Sequence, residues 1–165
     1  MNNDLQKERT TIAFIIFCLE SILYLMVLWQ VVFRLLEIPV FRQGILDYSW
    51  MPENFVGREL AVAFSEEALF RFLPLTILFV IGTNRVLIIR LIVIGLTAGA
   101  FAYTHGILYL PFYASAGLML SILFVEVESF WKEKTLPTRL LISYLAVVAT
   151  HFCWNTLLHL INFLT

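Results

Sequence analysis

The stretch Glu59–Ile81, ELAVAFSEEALFRFLPLTILFVI, decides how this chain folds. It is apolar over roughly the 20 residues that a helix needs to cross a hydrocarbon core of about 30 Å. Yet Ser65-Glu66-Glu67-Ala68-Leu69-Phe70-Arg71 puts three ionisable side chains inside it. Charged groups near the middle of a spanning helix carry penalties of roughly 2.5–3.5 kcal/mol each, about 10 kcal/mol for three left unpaired. Chains keep such groups where they pair with one another and serve a function. Glu67 and Arg71, four residues apart, share a helix face and can form an ion pair; Glu66 lies about 100° round from Glu67 and is outside that pair.

The rest of the chain agrees with a lipid environment. Its 165 residues are 61% hydrophobic and 14% charged, with mean hydropathy +0.88, well outside the soluble range. The expected class is an all-α polytopic membrane helix bundle with about five transmembrane helices, forming a single membrane domain over 1–165. An anchor helix over 11–36 precedes a four-helix core over 59–164. The first apolar run is too long for a signal-peptide core and is not followed by a small-residue cleavage site. A net charge of −1 offers no basic field to a polyanion, so nucleic acid is excluded as a partner. Cys18 and Cys153 lack metal-ligand spacing and read as small hydrophobes.

Between anchor and core, Glu37–Arg58 carries Pro39, Gly44, Pro52, Tyr48 and Trp50, as expected of a loop or short helix at the interface. Pro74 predicts a kink after Arg71. Later spans are expected over about Val86–Tyr103, Leu108–Phe124 and Leu140–Leu164, with a polar loop at Glu126–Arg139 and close-packing small residues at Gly95, Ala98, Gly99, Ala100, Ala114, Ala116 and Gly117. Lys7, Arg9, Arg85, Arg90, Lys132, Lys134 and Arg139 fall on one side of such a bundle, and Arg34, Arg42 and Arg58 on the other. The positive-inside rule then predicts a multi-pass protein of the cell membrane with a cytoplasmic N-terminus.

Two further spans carry polar groups. Phe101 and His105 are four apart near the end of the third span, and His151, Asn155 and His159 recur at the same spacing on the last, with Asn162 close to that face. His159 and Asn162 suit helix-to-helix hydrogen bonding. Glu66, His105, His151 and Asn155 come to similar depth at 1.5 Å of rise per residue, which suits a carboxylate general base. Two His and a Glu are also a zinc set, although neither candidate His has a His partner four residues away within the set. A proton relay or small transporter is a further class, opposed by the lack of an internal repeat.

Glu66-Glu67-x-x-x-Arg71, Phe101-x-x-x-His105 and His151-x-x-x-Asn155, in that order on successive spans, resemble the three motifs of the CAAX protease and bacteriocin-processing (CPBP, or Abi) family. The resemblance covers about Glu59–Leu164 and implies a glutamic-type intramembrane endopeptidase with no metal or other cofactor. It implies that Glu66 activates water with help from His105, that His151 and Asn155 stabilise the oxyanion, and that Glu67 and Arg71 order the site. The implied partners are the lipid bilayer and a peptide or protein tail, for example the C-terminal tail of an exported protein during sorting. Alternatives within the family are a prenyl-protein (CAAX) endopeptidase acting on the cytoplasmic side and a non-enzymatic bacteriocin-immunity protein.

Overall fold

The computed structural model describes residues 13, 20, 55–82 and 86–164. The expected anchor helix, most of the interfacial segment and Thr83–Arg85 of the turn after the second span lie outside the described residues, as do the side chains of His159 and Asn162. Among the described residues the chain is all-helical and has no strand. The elements are α1 (Phe55–Glu67), a π-helical turn (Ala68–Phe72), α2 (Leu73–Ile81), α3 (Leu87–Thr104), a 3-10 turn (Ile107–Tyr109), α4 (Leu110–Phe130) and α5 (Leu136–Leu164). Helices α3, α4 and α5 are each long and apolar enough to cross a membrane, and the protein is an all-α membrane helix bundle. The remaining long helical run, Phe55–Ile81, is interrupted by the π turn.

That interruption follows from Pro74. Proline has no N–H to donate and its ring crowds the carbonyl four residues back, so the backbone widens ahead of it. The Leu73 N–H bonds to the Ala68 carbonyl, five residues back. The expected kink is thus a π turn, and Arg71 lies within it. Gly82, in the left-handed region at φ 77°, then ends α2, its N–H bonded to the Phe79 carbonyl. A side chain there would be strained.

Large apolar side chains remain on the outside of α3, including Leu87, Ile88, Leu91, Ile92 and Leu96. Such a continuous apolar face suits acyl chains as its solvent. The close α3–α4 contact is made by Ala98 and Gly117: a Cβ on Gly117 would sit 2.9 Å from the Ala98 Cα. Gly95 and Gly99, expected at such a contact, instead face open space. Beside it Thr97 and Ser121 hydroxyls meet at 3.3 Å, and each also donates to a carbonyl of its own helix.

The expected polar loop at Glu126–Arg139 is shorter than its composition suggests. Helix α4 continues through Glu126 and Glu128 to Phe130, and α5 begins at Leu136. The reason is an ion pair: Glu128 is buried and lies 3.2 Å from Arg139 Nε across the α4–α5 turn. A paired charge can stay helical where an unpaired one would seek water.

Candidate active site

Helix α1 buries Glu59, Ala63, Glu66 and Glu67, a stripe repeating at helical spacing on its inward face. Glu66, Glu67 and Arg71 are each at most 1% exposed. Arg71 NH1 donates to Glu67 Oε1 at 2.9 Å, and the guanidinium carbon stands 4.1 Å from the centre of the Phe101 ring, a cation–π contact. The π turn begins directly after Glu67 and contains Arg71: it widens the helix where two adjacent carboxylates and an arginine are all buried. Such turns recur at functional sites.

His105 caps α3, and its backbone N–H bonds to the Ala102 carbonyl. Its Nδ1 lies 2.9 Å from the Phe101 carbonyl oxygen. A carbonyl only accepts, so Nδ1 is the protonated nitrogen and Nε2 of the neutral ring is an acceptor. That Nε2 faces Glu66 Oε1 at 3.7 Å. On α5, the His151 Nδ1–H donates to Glu67 Oε1 at 2.7 Å. The His151 Nε2 therefore also faces Glu66, 3.6 Å from Oε2. Each imidazole is fixed through one nitrogen and presents the other to the same carboxylate.

Both separations exceed hydrogen-bond length, and each is short enough for a water to bridge oxygen and nitrogen at about 2.8 Å from both. A water has two protons, so one beside Glu66 can donate to the carboxylate and to one imidazole nitrogen. The site can therefore polarise a water and take its proton.

Aromatic rings wall the site. Tyr113 of α4 stacks on His105 at 3.8 Å between ring centres and 20° between planes. Phe101 lies 4.6 Å from His105 and 5.8 Å from His151, and Trp154 is 5.9 Å from His151. These rings belong to one buried cluster with Phe112 and Ala116.

Five of the six residues singled out from the sequence, Glu66, Glu67, Arg71, His105 and His151, thus meet in direct or near contact. Asn155 is half-buried one turn beyond His151 on α5. Sequence reasoning missed Tyr113 and Trp154. Tyr113 forms no motif with Tyr109, Leu110, Ala116 or Gly117 at helical spacing, and Trp154 reads as one more apolar residue of a span. Among the described residues no group of three His, Cys, Asp or Glu side chains is disposed to hold a metal ion. No family model, curated protein or solved structure matches the chain.

Proposed function

We propose that this protein is a glutamic-type intramembrane endopeptidase of the kind its motifs resemble in the CPBP family. The observation that carries the reading is the approach of Glu66, 1% exposed, to the Nε2 atoms of two histidines from two other helices, each held through its Nδ1. A carboxylate buried beside two imidazoles, each already held through its other nitrogen, is an arrangement suited to activating water.

In the proposed reaction a water between Glu66 and the two Nε2 atoms attacks the peptide carbonyl carbon. The C–O bond forms as one water proton passes to Glu66, and the carbonyl π pair moves onto oxygen. Collapse of the tetrahedral intermediate breaks the C–N bond, and the departing amine takes the proton from Glu66. Glu67 acts through others: it holds Arg71 and sets the tautomer of His151. The substrate class is a membrane-associated peptide or the C-terminal tail of an exported protein, consistent with the charge bias, which predicts a cytoplasmic N-terminus. The chemistry needs no metal or cofactor.

Purified protein in detergent, offered a pool of tryptic peptides from a whole-cell digest, tests this directly, with cut sites read by mass spectrometry. Cleavage that survives a chelator and is lost in Glu66→Gln is the expected result. Cleavage abolished by chelation would replace it with a zinc enzyme. A folded Glu66→Gln protein that cuts as well as the wild type would remove the proposed role of Glu66.

A further inference from the structure

The Trp154 indole is 1% exposed, and its Nε1–H has no hydrogen-bond acceptor. A buried donor without a partner forfeits about 1–3 kcal/mol, and native proteins leave few of them. This one stands beside the candidate site. Its ring centre is 5.9 Å from His151 and 6.4 Å from Tyr113, the ring that stacks on His105. Long side chains on a helix lean toward its N-terminus, so the indole reaches back from position 154 to the level of His151.

The same site lacks a donor that hydrolysis requires. His151 donates its one neutral-state proton to Glu67 and turns an acceptor toward Glu66. It cannot also donate to an oxyanion in that state. The family resemblance assigns a donor to Asn155, one turn further along α5, and a single donor is an incomplete oxyanion hole.

We propose that the Trp154 Nε1–H is a hydrogen-bond donor to the acyl oxygen of the substrate, working with Asn155. The inference rests on the proposed hydrolysis. It assigns a catalytic residue that no motif in the sequence marks. In the free protein the N–H has no partner; as the carbonyl oxygen becomes an oxyanion, the N–H gains an ionised acceptor in a dry site, where such bonds are strongest.

The test replaces Trp154 by benzothienylalanine, which keeps the bicyclic shape and puts sulfur in place of the N–H, alongside Trp154→Phe. The peptide-pool assay is run with wild type, both variants and Glu66→Gln. The expected result is a kcat at least tenfold lower in both Trp154 variants, with KM little changed and the benzothienylalanine protein melting at or above the wild-type temperature. Wild-type kcat in the benzothienylalanine protein would overturn the inference and leave the hydrolysis reading intact. So would a Tm several degrees lower in that isostere, because the N–H would then be bonded within the fold. If the wild type cuts nothing, the hydrolysis reading falls and this inference with it.

Discussion

His151 and Glu67 meet across the α1–α5 interface at 2.7 Å, on the same carboxylate oxygen that accepts from Arg71 at 2.9 Å. One oxygen atom thereby joins two helices, a cation and an imidazole. The consequence is division of labour between adjacent carboxylates. Glu67 is committed to its two donors, which leaves Glu66 to face the Nε2 atoms.

The Glu67–Arg71 pair is fully buried, so removing one member strands the other. Glu67→Leu leaves a fully buried guanidinium without its carboxylate, which costs about 3–5 kcal/mol. Arg71→Met leaves Glu67 still bonded to His151 and costs less. The Glu67→Leu/Arg71→Met double variant is expected to be more stable than the sum of the two single losses predicts, by 1 kcal/mol or more on the scale of coupled neighbours. Thermal unfolding in detergent measures the cycle, and strictly additive losses would contradict the pairing.

Tyr113 holds His105 by its face, while the Phe101 carbonyl holds it by Nδ1. Tyr113→Phe keeps the stacked ring and is expected to hydrolyse within a fewfold of wild type. Tyr113→Leu removes the plane that fixes the imidazole. Its kcat is expected to fall about tenfold or more, as small misplacements of catalytic groups do, and the pH profile of kcat is expected to shift. Equal loss in both variants would instead point to the phenol hydroxyl.

The helical membrane class was legible from composition, because lipid-facing helices cannot hide their hydropathy. The site was legible as far as helical spacing reaches: Glu67 with Arg71, and Phe101 with His105, are intrahelical relations that a list of residues contains. What joins the helices was not. The Glu67–His151 bond spans 84 positions, and the tautomers that turn both Nε2 atoms inward depend on a backbone carbonyl and a carboxylate that no spacing rule selects. The small-residue reading held at Ala98 and Gly117 and failed at Gly95 and Gly99. A glycine pattern indicates that a backbone can be approached, but which face a neighbour occupies is decided by tertiary packing.

The difference between Gly117 and Gly99 is itself testable on α3 and α4. Gly117→Ala would place a Cβ 2.9 Å from the Ala98 Cα and 3.2 Å from its Cβ and oxygen. These are backbone and short side-chain atoms that cannot swing aside, so the helices must separate, at about 1–3 kcal/mol. Gly99→Ala meets nothing within 4 Å and replaces the poorest ordinary helix former with the best one. It is expected to be neutral or to stabilise by up to about 1 kcal/mol. Melting temperatures of the two variants should move in opposite directions, or Gly117 alone should move.

The Glu128–Arg139 pair closes the opposite end of the bundle. Glu128 lies fifteen residues from Tyr113 along α4, about 22 Å at 1.5 Å per residue. Its carboxyl is nearly covered, whereas Arg139 keeps 22% of its side-chain surface exposed. Ser143 donates to the Arg139 carbonyl at 2.9 Å, which fixes the first turns of α5. Solvent screening at the arginine makes this pair weaker than Glu67–Arg71. Arg139→Met nevertheless leaves a covered carboxylate without its partner, and a loss of about 1–3 kcal/mol is expected. Glu128→Gln keeps a hydrogen-bonding group of the same size and should lose less. Both variants are expected to melt earlier than wild type yet, assayed well below their melting temperatures, to hydrolyse peptide at the wild-type kcat. Impaired turnover in a fully folded Arg139→Met protein would mean that the α4–α5 turn communicates with the site through α5.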